Sequence, residues 1–321
     1  MTTVAVTVPL PGGGTDPLVA AGFDIVQLPG RGPAALADAA GWADALVTQL
    51  TDRIDASVLD AAGPRLRVVA NVAAGYDNLD LARAASLGIT SCNTPGVLDE
   101  TTAELAFALA LMARRRTSDA ERTLRTGGWS GWSIDGFLGH DLAGATLGVV
   151  GWGQIGRALA RRAEAFDMAV IHTSRTPTGE PGYRASLDDL LGASDVVSLH
   201  VPLTDQTHHL IGAPQLAAMR PTAVLVNTAR GPVVDEAALA DALHAGTIFG
   251  AGLDVYEDEP GVHPRLLDAP GAVLLPHIGS ATVATRTAMA RAACTAVVDV
   301  LAGRSTPAAI SPPPTPRSTN P

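Results

Sequence analysis

Three stretches in the second half of the chain set polar side chains directly after apolar, strand-like runs. Val226-Asn-Thr-Ala-Arg230-Gly231 carries an arginine, Gly252-Leu-Asp254-Val-Tyr-Glu257-Asp-Glu259-Pro260 a series of carboxylates, and Leu275-Pro-His277-Ile-Gly-Ser280 a histidine. A fourth, His200-Val-Pro202-Leu-Thr204, follows another apolar run. Ligands of open parallel sheets bind outside the carboxyl ends of the strands, so these are positions where a small molecule would be met. Guanidinium, carboxylate and imidazole are the groups that bind anions and move protons near neutral pH. Singly, each such residue serves structure more often than chemistry. Their convergence at successive strand ends is what singles them out.

The element that must organise them lies upstream, in Thr146-Leu-Gly-Val-Val-Gly151-Trp-Gly153-Gln-Ile-Gly156-Arg-Ala-Leu-Ala160. An apolar strand runs into G-x-G-x-x-G and then into an Ala/Leu/Arg-rich helical pattern, the order a dinucleotide-binding unit needs. Gly151 permits the turn, Gly153 lets the backbone approach a pyrophosphate, and Gly156 allows close packing of helix on strand. The helix start then offers free N–H groups and the positive end of its dipole to the phosphates. The next strand, Ala169-Val-Ile-His-Thr-Ser174-Arg175-Thr176, has no acid at its end to take a ribose 2′-hydroxyl. Arg175, with Ser174 and Thr176 as hydroxyl donors, suits a 2′-phosphate instead, with a plain solvated arginine as the alternative.

Strands are expected near 146–151, 168–173, 194–200, 222–227, 248–254 and 272–276, with helical connectors, which makes a complete doubly wound sheet. A smaller α/β unit precedes it. Residues 3–10, 24–28, 45–48 and 66–71 read as strands, with helices at 33–40 and 55–62 between them. The last of these strands ends in Asn71-Val-Ala-Ala-Gly75-Tyr-Asp-Asn-Leu-Asp80. Small residues there expose consecutive N–H groups able to cradle a carboxylate, or the segment is an ordinary turn capped by Asp77 or Asn78. Thr102 begins a long apolar helix, where it either touches a phosphate or simply caps the helix. Gly127-Gly-Trp-Ser-Gly-Trp132-Ser holds two of the four tryptophans in a polar loop, the setting of an anchor against another surface.

Composition narrows the function. A chain of 321 residues exceeds one hydrophobic core, and 47% apolar residues suffice for two. A net charge of −10 argues against a nucleic-acid or anionic-membrane partner. All 22 basic residues are Arg, so a Schiff-base lysine, a P-loop lysine and every dehydrogenase mechanism with a lysine acid or base are excluded. Cys92 and Cys294 are too few for a disulfide framework, and no Cys/His cluster has metal-ligand spacing, so no metal is expected. No signal peptide and no membrane-length apolar run is read, which leaves a cytoplasmic enzyme as the expectation.

These motifs together resemble the D-isomer-specific 2-hydroxyacid dehydrogenases, closest to their glyoxylate/hydroxypyruvate reductases. The resemblance runs from Val4 to about Ala309 through Asn71–Asp80, Thr101–Glu104, Gly151–Gly156, Val226–Gly231, Gly252–Pro260 and Pro276–Ser280. It implies two doubly wound parallel-sheet domains. One is a flavodoxin-like substrate domain of residues 1–98 and 284–321, with a disordered Pro-rich tail from about 305; the other is a Rossmann cofactor domain of residues 99–283. It implies Arg230, Glu259 and His277 as the catalytic set, and Val72, Ala73, Ala74, Gly75 and Arg230 as substrate contacts. Trp132 would reach the partner's site across a homodimer. The implied cofactor contacts are Thr102, Gly151, Gly153, Gln154, Ile155, Gly156, Ser174, Arg175, Thr176, Val201, Pro202, Thr228, Ala229, Arg230, Asp254, His277 and Gly279. NADP(H) is the preferred cofactor, with NAD(H) left open.

The chemistry agrees with that carry-over. Reducing a 2-oxo acid needs a hydride at the carbonyl carbon and a proton at the oxygen. His277 can give and regain that proton, with Glu259 stabilising the imidazolium. Arg230 can grip the carboxylate and polarise the carbonyl. An acid at 259 also separates the chain from formate dehydrogenases of this fold, which place Gln there. Trp152 departs from the family's smaller apolar residue in the glycine loop. Two alternatives stay open: another D-2-hydroxyacid dehydrogenase, including the phosphoglycerate type, and a nucleotide-sensing corepressor-like binding protein.

Overall fold

Runs of three to five mostly apolar residues, most of them buried on both faces, form eleven strands among the described residues, 1–30 and 32–310, of the computed structural model. The chain divides into two units, residues 1–98 with the segment from Ser280 onward, and residues 99–279.

In the first unit β1 (Thr3–Val6), β2 (Asp24–Gln27), β3 (Ala45–Thr48), β4 (Val68–Asn71) and β5 (Thr90–Cys92) form a parallel sheet in the order β2-β1-β3-β4-β5. That is the flavodoxin-like order. Period-2 alternation feeds two separate cores. Val4, Val6, Val47, Val68 and Ala70 pack with Ala293, Cys294 and Val297 of the helix Val283–Leu301. Ala5, Leu46 and Val69 turn the other way, onto Leu36, Leu59 and Ala84. Strand β1 stops at Val6 rather than running to 10, because the Thr7 hydroxyl turns to the Asp52 carboxylate and Pro9 has no N–H for a ladder. The tail is ordered further than the expected limit near 305. Asn93 N donates to Ala308 O and Ile310 N to Ser91 O, which ties residues 308–310 to the end of β5. The rest of that expected disordered tail, 311–321, lies outside the described residues.

The second unit holds β6 (Thr146–Val150), β7 (Ala169–Thr173), β8 (Val196–Leu199), β9 (Val224–Asn227), β10 (Gly250–Leu253) and β11 (Ala272–Leu274), parallel in the order β11-β10-β9-β8-β6-β7. Tyr183 adds a single parallel bridge to His172 at the β7 edge. Counting that bridge, the order runs 3-2-1-4-5-6-7 within the unit, which contains the Rossmann order. One face packs Leu147, Val149, Val196 and Val224 on Ala106 and Leu109 of the helix Asp99–Arg114 and on Leu159 of the helix Gln154–Glu164. The other face packs Val197, Leu199 and Leu225 on Leu190, Leu216 and Leu239. Burying one such leucine contributes about 1.5–3 kcal/mol, and both helices owe their placement to it. No helix among the described residues is long and apolar enough to cross a membrane.

Candidate active site

The chain leaves β6 and turns outward to β7, then returns to β8 on the other side, so the strand order switches beside the glycine loop. Gly151 has φ +101°, and a Cβ there would meet His200 O at 2.5 Å. A Cβ on Gly156 would meet Gly151 O at 2.5 Å. Only glycine allows that turn and that approach of helix to strand. Gly153 differs: a Cβ would meet nothing within 4 Å, so the space over the loop is open. Gly153 also caps the helix Gln154–Glu164 with no side-chain hydrogen bond, leaving first-turn N–H groups for an anion. Further along the same strand ends, the buried Thr228 hydroxyl oxygen has no partner among the described residues. An open glycine cradle, an uncapped helix start and an orphaned hydroxyl fit a dinucleotide.

The remaining cofactor candidates occupy the carboxyl ends of the same sheet. Ser174, Arg175 and Thr176 follow β7, Val201 and Pro202 follow β8, and Thr228, Ala229 and Arg230 follow β9. Asp254 follows β10, and His277 and Gly279 follow β11. Thr102, buried near the start of the helix Asp99–Arg114, donates to Gly279 O at 3.3 Å and so joins that group.

Arg230, Glu259 and His277 come together through three loops. Those after β9 and β10 meet where a Cβ on Gly231 would lie 1.8 Å from the carbonyl carbon of Tyr256, an approach only glycine permits. Asn227 braces the first loop, donating through Nδ2 to Arg230 O at 2.8 Å and accepting from Ala229 N at 3.0 Å. Glu259 accepts from Tyr256 N at 3.1 Å through Oε1 and lies 2.7 Å from His277 Nδ1 through Oε2. Partial burial works to raise the Glu259 carboxyl. The hydrogen bond and charge of His277, the Tyr256 amide and the charge of Arg230 outweigh it, and the group sits below the usual glutamate range.

His277 has φ +53°, a left-handed conformation that costs a non-glycine residue about 1 kcal/mol. Its loop is held there by Asp254. That carboxylate is buried, and it accepts from Ile278 N and Gly279 N at 2.7 Å each, while Asp254 O accepts from His277 N at 2.9 Å. Burial pushes the Asp254 carboxyl above its ordinary range against the pull of those two amides. With Nδ1 engaged, the Nε2 side of the His277 ring makes no hydrogen bond among the described residues, and the side chain is 32% exposed.

In the first unit, the loop after β4 has its carbonyls tied off. Ala73 O accepts from Thr94 N, Ala74 O from Asn93 Nδ2 at 2.6 Å, and Gly75 O from Asn71 Nδ2 at 3.2 Å. Val72 N is engaged by Thr48 O, whereas the N–H groups of Ala73, Ala74 and Gly75 make no hydrogen bond among the described residues. That is the polarity of an anion cradle. Trp132 is 81% exposed, in a segment of the second unit that also exposes Trp129 and Ile134.

One part of the site has no sequence signature. Glu236 N donates to Glu257 Oε1 at 2.8 Å, and Glu257 N donates to Glu236 Oε1 at 2.6 Å. This reciprocal pair locks the loop that carries Glu259 onto the start of the helix Glu236–Ala245, and His209 Nε2 adds an ion-pair distance of 3.2 Å to Glu257. Two acids 21 residues apart show no periodicity that would mark them as partners.

Known proteins resemble the chain over most of its length. The family model of the D-isomer specific 2-hydroxyacid dehydrogenase NAD binding domain matches residues 107–279. A glyoxylate reductase of Thermococcus onnurineus is 50% identical over 256 residues, 77% of this chain and 76% of that protein. A solved protein of Thermus thermophilus superposes with TM-score 0.91 at 44% identity, covering 97% of this chain and 100% of its own. The NADPH-dependent glyoxylate/hydroxypyruvate reductase of Sinorhizobium meliloti, solved with NADP and malonate, gives TM-score 0.86 at 34% identity over 97% of each chain.

Proposed function

Since the chain belongs to the D-isomer-specific 2-hydroxyacid dehydrogenase family, and is an NAD(P)-dependent oxidoreductase acting on the CH–OH group of donors, we propose that it reduces glyoxylate or hydroxypyruvate with NADPH. The observation that carries the chemical part is the His277–Glu259 pair at 2.7 Å, on the same strand ends as Arg230 and the open glycine loop. Cofactor choice is supported by Arg175 at the end of β7, where an NAD-selective fold places an acid.

When bound beside the glycine loop, NADPH would supply the hydride for the carbonyl carbon. Everything else falls to this chain. Glu259 holds Nδ1–H, so the imidazolium is oriented with Nε2–H toward the carbonyl oxygen and gives it the proton. Arg230 pairs with the substrate carboxylate and draws charge from the C=O. In the first unit, the N–H groups of Ala73, Ala74 and Gly75, which make no hydrogen bond among the described residues, form a cradle suited to a carboxylate. Asp254 fixes the loop that carries His277 through the two amides it already holds.

The working form is a homodimer. Trp129, Trp132, Ile134 and Leu138 are 58%, 81%, 78% and 64% exposed within one short segment, which a second copy of the chain would cover. Sedimentation at micromolar concentration should give twice the chain mass, and Trp132→Ala should shift it toward monomer.

A steady-state panel of 2-oxo acids with NADPH and with NADH tests the function. Turnover of the smallest 2-oxo acids with NADPH, and a D-isomer product where the product is chiral, is expected. No oxidation of either cofactor with any 2-oxo acid would leave the corepressor-like reading in its place. A large preference for NADH would overturn the role of Arg175.

A further inference from the structure

Trp152 is the feature of the glycine loop that dinucleotide binding leaves unused. Its indole stacks on the imidazole of His172 in β7, with centroids 3.9 Å apart and planes at 14°. Its Nε1 donates to Glu180 Oε2 at 2.8 Å. Both terminal nitrogens of Arg157, in the first turn of the helix Gln154–Glu164, grip the same carboxylate at 2.7 Å each. The Arg157 guanidinium also lies 5.1 Å from the Trp152 ring.

These contacts enclose one segment, residues 174–184, that starts with Ser174 and Arg175. Its far end is tied to the edge strand by His172 N donating to Gly182 O at 3.0 Å and Arg184 N donating to His172 O at 2.7 Å. Its middle is tied by the Thr178 hydroxyl, 2.8 Å from His172 Nε2, and its near end by Ser174 Oγ donating to Thr176 O at 2.6 Å. Glu180, halfway along, links the segment to the glycine loop and to the helix that follows it. Arg157, then Trp152, hold the Glu180 carboxyl down to about 2, so it stays ionised and Arg157 stays committed to it. Arg175 is exposed and has no ion pair among the described residues.

We propose that Trp152, Arg157 and Glu180 are positioning residues that clamp the Ser174–Thr176 turn in the geometry that receives a 2′-phosphate. Selectivity for NADP(H) then resides in this clamp as well as in Arg175. The inference rests on the NADPH reading above. Two physical effects follow from the clamp. A turn that is already ordered loses little conformational entropy when a ligand arrives. Arg157 also neutralises Glu180, which would otherwise be a bare carboxylate on the same segment, competing with the phosphate for Arg175. Of the three clamp residues, only Trp152 stood out in the sequence, as a departure from the family pattern.

The test is calorimetric titration of the full chain with 2′,5′-ADP and with 5′-AMP, ligands that differ by the 2′-phosphate alone. Wild type should bind 2′,5′-ADP more tightly. Trp152→Leu and Glu180→Gln should each weaken 2′,5′-ADP about tenfold, about 1.4 kcal/mol, and leave 5′-AMP within about twofold. Arg157→Gln should be worse than Glu180→Gln, because it frees the Glu180 charge. The double variant should return to the Glu180→Gln level. With saturating NADPH, kcat should be unchanged in all of them. A wild-type preference for 2′,5′-ADP that the variants keep intact would overturn the clamp and leave the NADPH reading standing. A wild type with no such preference would overturn both. Equal losses for the two ligands would reduce the cluster to a structural role and overturn its part in selectivity.

Discussion

Glu259→Gln removes one charge and almost no volume, and its effect can be worked out from two contacts. The carboxylate accepts Tyr256 N through Oε1 and lies 2.7 Å from His277 Nδ1 through Oε2. A glutamine would keep its oxygen on the Tyr256 amide and turn its NH2 toward Nδ1. The imidazole could then only accept there, and the imidazolium, which must carry Nδ1–H, would lose its partner. A hydrogen bond to a charged group is worth about 1.5–3 kcal/mol. The two side chains are 32% and 29% exposed, so the lower end applies, about 1.5 kcal/mol. At about 1.36 kcal/mol per factor of ten in rate, that is about a tenfold loss of kcat/KM. The assay is kcat/KM for glyoxylate with NADPH at neutral pH, with NADPH affinity measured beside it. Most of the wild-type activity retained in the variant would refute the pairing as the source of proton donation.

Other perturbations give sharper single readings. Arg175→Ala should raise KM for NADPH about 10- to 100-fold, spare NADH, and lose its effect at high salt, as steady-state kinetics with both cofactors would show. Gly231→Ala places a methyl 1.8 Å from the Tyr256 carbonyl carbon. It should cost about 3 kcal/mol in denaturant unfolding and abolish turnover by parting the Arg230 and Glu259 loops. Glu180 has a carboxyl lowered to about 2, so the stability it contributes is present above its unfolded value and lost as pH falls through about 2. The Tm difference between wild type and Glu180→Gln should therefore be full at neutral pH and shrink through the acid range toward about pH 2.

Much of this molecule was legible because its signals are local. Val and Ala runs such as Ala45–Thr48 and Thr146–Val150 became strands where they were expected, and G-x-G-x-x-G became the turn between strand and helix. Arg230, Glu259 and His277 were singled out by the family resemblance, in stretches that lie beyond apolar runs, and the structure sets them in the loops after β9, β10 and β11. Short or mixed elements were not legible. Strand β5 is Thr-Ser-Cys, three residues made a strand by pairing with β4 rather than by their own pattern. The helix Thr117–Arg125 buries no residue, so it has no apolar stripe to announce a core. The tail beyond 305 reads as Pro-rich and polar, yet residues 308–310 find partners on β5 that no local pattern reveals. Side-chain networks were the least visible. Trp152, His172 and Glu180 meet because the chain crosses from β6 to β7 and folds back on its edge, and their spacing of 20 and 8 residues carries no periodicity.

Proton donation by His277 to a small 2-oxo acid is read from the initial rate of NADPH oxidation with glyoxylate, wild type beside His277→Ala, with NADPH affinity measured on both. Turnover is expected in wild type, with kcat at least about a hundredfold lower in the variant and NADPH binding nearly equal. Retained turnover in His277→Ala, or none in wild type, would rule that role out.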